Sequence, residues 1–278
     1  MKIISIANFK GGTGKTATAC NLAALLAREG KAVLLVDADA QHNASSFFLD
    51  EPADLTTLTD VLEGLGETLW SDNVTPCAEY GLDVLPADMG LLRLDLAAIL
   101  NGDSQAHRRM TDFLDCARRD NAYDFVLIDC PPQFSAPSVA AMANSDTIIL
   151  PTKVDANSVA GMRELIDQLL GTRRFAITAD LFKILITMAD RSNLSKQVEA
   201  QLRNGRFPVF RTVIRAGVAV GESSYARQPL FEYAPKSKPA QDYEALVREI
   251  LVEDESPTGF AGAPFRQGGL DENGRRCG

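Results

Sequence analysis

The chain has 278 residues, 46% of them hydrophobic, enough to bury a sizeable core in one large domain. No apolar run reaches the 18 or more residues of a membrane span, and the apolar part of MKIISIANFK is too short for a signal peptide, so the expected setting is cytoplasmic. A net charge of −9 argues against a generally basic nucleic-acid binder, and five cysteines without a C-x-x-C pair suggest neither a disulfide framework nor a zinc knuckle.

Runs rich in Val and Ile recur along the chain at 3–8, 32–38, 82–87, 124–130, 146–152, 182–188 and 208–214. They are continuous rather than alternating in polarity, which means strands covered on both faces. Between them, helical periodicity is clearest in KTATACNLAALLAREG, where Ala19, Leu22, Ala23 and Leu26 share a face and Gly30 supplies the stop. Further helices are expected near 88–100, 104–119, 156–171, 192–204 and 238–252. The pattern predicts an α/β fold, a doubly wound and mostly parallel sheet flanked by helices, over residues 1–253. Residues 254–278 hold six glycines and two prolines without periodicity and read as a disordered tail.

Chemistry concentrates first at FKGGTGKT, residues 9–16, which follows a strand and opens a helix. Glycines in that context let backbone N–H groups converge on phosphate oxygens, and the helix N-terminus adds about half a positive charge. Lys10, Gly11, Gly12, Thr13, Gly14, Lys15, Thr16 and Ala17 are the candidate nucleotide contacts. Lys15 suits the β and γ phosphates and Thr16 a Mg²⁺ ion.

The ordinary phosphate-loop pattern requires a glycine where this chain has Phe9. The match is instead K-G-G-x-G-K-[ST], the deviant Walker A motif, and here the sequence resembles the ParA/MinD superfamily of P-loop ATPases. VDADAQHN (36–43) is similar to the family's D-x-D-P-Q-G-N segment, with Ala40 for the usual proline and His42 for the usual glycine. Asp39 matches its second aspartate, which the resemblance assigns to the magnesium-water shell and to positioning the attacking water. FVLIDCPP (125–132) resembles the Walker B segment, with Asp129 placed to hold a water on Mg²⁺. His42 and His107 read as exposed polar residues rather than bases.

The resemblance extends to the final helix. ILITMADRSNLSKQV (184–198) and the segment 209–250, which begins VFRTVIRAGVAVGESS, are similar to late ParA segments and favour ParA over other deviant Walker proteins. With the phosphate loop beginning at residue 10, the resemblance is to the short ParA type, expected to lack an N-terminal helix-turn-helix. The family places adenine against these loops, which makes Thr187, Met188, Arg215 and Gly217 candidates. It also implies a homodimer sandwiching two ATPs, in which each Lys10 crosses to the other subunit's phosphates. Lys15 already occupies the near side of its own nucleotide, and Lys10 sits at the loop's other end.

ParA-type ATPases, by resemblance, bind DNA without sequence preference as ATP dimers and are released when a ParB-like adaptor stimulates hydrolysis, so nucleoid association is expected. Residues 163–248 carry 14 Lys+Arg against 9 Asp+Glu, leaving −14 for the rest of the chain. Arg191, Lys196, Arg203, Arg206, Arg211 and Arg215 are the candidate phosphate contacts. The rival classes are a MinD-like membrane switch, for which the glycine-rich tail offers no amphipathic basic helix, an iron–sulfur reductase, for which the cysteine spacings are unsuitable, and an ATP-dependent synthetase of the same superfamily. No stable membrane anchoring is expected.

Overall fold

A computed structural model describes residues 1–50, 55–66, 70–101, 105–171 and 177–254. Seven strands form one sheet: β1 (Lys2–Ile6), β2 (Val33–Asp37), β3 (Thr75–Cys77), β4 (Leu82–Leu85), β5 (Phe125–Asp129), β6 (Thr147–Lys153) and β7 (Phe182–Thr187). Their spatial order is β3-β4-β2-β5-β1-β6-β7, parallel throughout except for β3, which pairs antiparallel with β4 at one edge.

Side chains alternate across the sheet while both faces remain apolar. On one face Ile4, Ile6, Leu35, Leu127 and Ile149 pack against helices α1 (Lys15–Arg28), α2 (Asn43–Phe48) and, near the C-terminus, α11 (Lys238–Asp254). Opposite them Ile3, Leu34, Val36, Val126, Ile128 and Ile148 meet α3 (Leu58–Glu63), α5 (Gln105–Arg119), α6 (Ala136–Ala143), α7 (Ala156–Gly171) and α8 (Asn193–Arg203). Helices α4 (Leu91–Asn101), α9 (Ala219–Ala226) and α10 (Leu230–Tyr233) complete the set. The predicted stripe of α1 is fully buried at Ala19, Leu22, Ala23 and Leu26. Burying each such leucine contributes about 1.5–3 kcal/mol.

Three departures from the expected elements have local causes. Strand β3 is only three residues long and contains Pro76, which an edge strand tolerates because its missing N–H costs no ladder bond. The short helices α2, α3, α6, α9 and α10 lack enough turns for periodicity to show. The strand expected at 208–214 runs beside β7 but is interrupted. Its ends bond to β7, through Phe210 N to Ile184 O at 2.9 Å and Ile214 N to Ile186 O at 2.9 Å. In its middle, the N–H groups of Arg211 and Thr212 turn instead to the Glu249 carboxylate of α11, at 2.7 and 2.9 Å. The predicted tail beyond Asp254 lies outside the described residues.

Parallel pairing in register places the strands' carboxyl ends along one edge. Ile6 and Asp37 each stand opposite Asp129, and Lys153 stands opposite Thr187. Ligands in open α/β sheets gather at that edge.

Glu249 ties α11 to the interrupted strand through two charge-assisted bonds. Glu249→Ala is expected to lower stability by about 1–3 kcal/mol, seen as a lower urea midpoint at unchanged slope.

Candidate functional site

The loop between β1 and α1 is fixed before it turns. Asn8, 1% exposed, donates from Nδ2 to Pro151 O at 2.8 Å, and its Oδ1 accepts from Lys10 N at 3.1 Å. Gly12 and Gly14 then adopt left-handed φ values of 71° and 88°, open to glycine at little cost. A Cβ built on Gly11 or Gly12 meets no atom within 4 Å. What those glycines preserve is therefore access to the backbone rather than internal packing, as a phosphate cradle demands.

Lys15, the first residue of α1, lies buried along the loop and donates from Nζ to Lys10 O at 3.2 Å. Burial lowers its pKa, against the pull of the Asp129 charge. Lys10 behaves differently. Its ammonium reaches away to Asp155 Oδ1 at 2.9 Å, beyond the end of β6. The two lysines are thus separated, one over the loop and one beside it.

On the other flank of the loop, Thr187 Oγ1 donates to Thr13 O at 2.9 Å. Met188 adopts a left-handed φ of 53° and sets its Cε 3.9 Å from where a Gly14 side chain would begin. Both residues named for adenine therefore abut the phosphate loop. Arg215 and Gly217 sit farther along this side. Arg215 forks onto Asp242, with Nε–Oδ2 at 2.9 Å and Nη2–Oδ1 at 2.6 Å, while a Cβ on Gly217 would stand 2.8 Å from Pro239 Cγ.

Asp129 ends β5, 1% exposed, and neither of its oxygens completes a hydrogen bond with a described residue. Burial, then the charge of Asp37, pushes its pKa well above the usual carboxylate range, while the nearby Thr16 hydroxyl and Lys15 ammonium oppose the rise. An unsatisfied buried carboxylate beside a threonine hydroxyl is costly in isolation and fits a hydrated Mg²⁺. Among the described residues, no group of three His, Cys, Asp or Glu gathers to cage a metal. Mg²⁺ keeps several waters and takes other ligands from phosphates.

Asp37 carries a structural role that the sequence reading did not assign. Fully buried, it accepts Ser45 N and Ser45 Oγ at Oδ2, both at 2.8 Å, and Asp39 N at Oδ1, at 3.1 Å. Ser45 Oγ in turn accepts Ala87 N at 2.9 Å. Asp37 thereby clamps the loop that presents Asp39. Asp39 is half-buried, with Oδ1 accepting Gln41 N at 3.0 Å, and borders a cleft of about 200 Å³ shared with Pro131, Pro132, Gln133 and Asp95. His42 occupies the position of the expected glycine with a left-handed φ of 45°, and its Nδ1 lies 3.0 Å from Ser46 Oγ. The departure from glycine leaves the turn itself in place.

Phe9, where the ordinary motif has glycine, packs edge-on against Phe134 at 4.2 Å, joining the phosphate loop to the segment after Asp129. Of the signals missed from sequence, Asp37 was visible as the first aspartate of its D-x-D. Asn8, Phe134 and Asp155 carried none, because their partners are set by the fold.

The basic candidates divide. Arg203 is committed to Glu199 at 2.8 Å and to the carbonyls of Phe210 and Arg211, and Arg215 to Asp242. Arg206 lies over the Phe207 ring. Arg191, Lys196 and Arg211 are exposed, and their side chains form no ion pair with a described residue. Cys20 and Cys130 are buried, so neither is presented at a surface for a cluster shared between subunits. Among the described residues no helix is long and apolar enough to cross a membrane.

The raised pKa values of Asp37 and Asp129 have a thermodynamic consequence. Between the unfolded carboxylate value near 4 and the folded values, the native state holds more protons than the unfolded one, so stability falls as pH rises. Without nucleotide, the chain is expected to gain about 1–3 kcal/mol on going from pH 7.5 to 5.5 in urea unfolding. The pH dependence should flatten in an Asp37→Asn, Asp129→Asn double variant.

A family model described as an AAA domain matches residues 1–178. The chain is 34% identical over 258 residues to the chromosome partitioning protein ParA of Caulobacter vibrioides, covering 90% of this chain and 94% of that protein. Its fold superposes on the Cyanothece McdA(D38A)–ATP complex with a TM-score of 0.75 at 22% identity, covering 91% of this chain and 96% of the other. For the Pyrococcus furiosus cell division ATPase MinD the TM-score is 0.70 at 27% identity, with 90% and 98% covered. With its two-lysine glycine loop at the carboxyl edge of a parallel sheet and this likeness over nine-tenths of its length, the chain belongs to the ParA family of P-loop ATPases.

Proposed function

We propose that this chain is an ATP-driven dimer switch that positions a cargo on DNA. The observation that carries the reading is the separation of the two loop lysines, Lys15 folded over its own loop and Lys10 directed beside it. Lys15, the loop amides and the start of α1 would bind the triphosphate of the same subunit. Thr16 and Asp129, with Asp39 nearby, would hold a hydrated Mg²⁺, which when bound neutralises phosphate charge. Asp39, clamped by Asp37, orients the attacking water. Lys10 supplies a cation to the neighbouring subunit's phosphates, where an added positive charge can be worth about 10³–10⁵ in rate. Hydrolysis removes the charge that bridges the subunits and loosens them, and a ParB-like adaptor sets when this happens.

The name of the Caulobacter relative supports partitioning as the task. For the DNA-bound state, Arg191, Lys196 and Arg211 are the strongest phosphate contacts, since each is exposed and forms no ion pair among the described residues; Arg203 and Arg215 serve the fold first. Contacts of this kind give affinity without sequence preference.

Lys10→Ala is expected to bind ATP yet fail to form the ATP dimer by ultracentrifugation, and normal dimerisation and hydrolysis in that variant would sink the reading. Asp39→Ala should bind ATP and accumulate as a locked dimer; a monomer at saturating ATP counts against the role given to Asp39. In gel shifts with ATP across a salt series, replacing Arg191 and Lys196 together by Ala should weaken binding to all sequences alike. The salt slope should drop by about 1 per cation removed in each subunit.

A further inference from the structure

Lys10 is held by its own subunit at both ends. Its main-chain N–H is bonded to Asn8, and its ammonium donates to Asp155 Oδ1 at 2.9 Å, with the two side chains 35% and 30% exposed. Asp155 follows β6 and immediately precedes α7. Its carboxylate also accepts Ser158 N at 2.8 Å and Ser158 Oγ at 3.0 Å, so it caps the N-terminus of α7 while holding the lysine. Partial burial works the other way, but the hydrogen bonds from Lys10 and Ser158 keep this carboxyl below its usual range and therefore charged. An ammonium engaged here is not free to cross an interface.

We propose that Asp155 is a positioning residue that parks Lys10 within its own subunit, so that pairing around ATP must break two Lys10–Asp155 ion pairs. The inference rests on the dimer-switch reading and adds a threshold to it. A lone subunit keeps its second cation beside the loop, and a pair delivers two cations at once. Asp155 retains both Ser158 bonds when Lys10 departs, so α7 stays capped and the parking is reversible. The energetic scale is modest, as a switch requires. A partly exposed ion pair is worth a factor of about 2–5 in an equilibrium constant, hence about 4–25 for the two pairs broken per dimer.

The test uses the full chain with Mg²⁺ and a non-hydrolysable ATP analogue in sedimentation velocity. Asp155→Asn keeps a strong helix cap and removes the charge. Its association constant is expected to exceed that of the unchanged chain by about 4–25-fold at low salt, with the gap closing near 0.5 M salt as screening weakens the pair. Asp155→Ser, also a good cap, must behave alike. Ser158→Ala weakens the cap but leaves the ion pair, and should lower the melting temperature while leaving association within about twofold. Unchanged or weaker association in both Asp155 variants overturns the inference, as does an equal gain in Ser158→Ala. If the unchanged chain itself stays monomeric with the analogue, the dimer-switch reading fails, and the inference falls with it.

Discussion

Two carboxylates buried side by side are the constraint on which the rest of the site depends. Register between β2 and β5 sets Asp37 opposite Asp129, with both fully inside and away from bulk water. Such a pair is unfavourable in low dielectric unless each charge finds compensation. Asp37 finds it within the chain, in Ser45 and the Asp39 N–H. Asp129 completes no hydrogen bond among the described residues, and has the partial support of Lys15 and Thr16. The fold thus satisfies the aspartate that shapes a loop and leaves unsatisfied the one that faces the nucleotide loop. That asymmetry separates a structural carboxylate from a candidate ligand more sharply than position in a motif.

The same economy governs the cations. Lys15 is desolvated along the loop, where its charge offsets Asp129. Lys10 is compensated by Asp155, outside that cluster. Nothing in an ordinary phosphate loop needs the second arrangement. Phe9 adds to it, since an aromatic at the loop's entrance packs on Phe134 and links the loop to the segment following Asp129. A change in either segment is felt by the other through a direct contact, because packed side chains transmit displacement rather than absorb it.

Much of this was legible in the sequence, and the part that was not has a common reason. The glycine loop, Asp129 and the strand order class are local patterns, in which a few adjacent residues dictate both backbone and chemistry. The basic balance of residues 163–248 is a sum, and a sum does not say who is paired. Arg215 is consumed by Asp242 and Arg203 by Glu199 and two carbonyls, so a charge count overstates the cations left for a partner. The strand expected at 208–214 fails for a similar reason, its central N–H groups being claimed by Glu249 from a helix nearly 40 residues later. Asp155, 145 residues from Lys10, is the extreme case. Long-range partners are fixed by the sheet, and only the sheet reveals them.

The sparsely populated backbone conformations follow the same geography. His42 and Met188 are both non-glycine residues in the left-handed region, a conformation costing about 1–2 kcal/mol for an ordinary side chain. One starts the helix after the Asp39 loop and the other directly follows β7 against Gly14. Two other non-glycine residues with positive φ, Asn121 and Arg227, lie in turns that close helices, where such values are routine. His42 and Met188 close no helix, and the strands that precede them, β2 and β7, stand on opposite sides of β1, which leads into the phosphate loop. Strain held at those two points is tolerated because the alternative at either would shift a group of the proposed nucleotide site, Asp39 in the first case and the Thr13–Gly14 backbone in the second. A glycine at 42 would relieve the strain and also free the loop, so the histidine, anchored to Ser46, exchanges conformational ease for a more rigid presentation of Asp39.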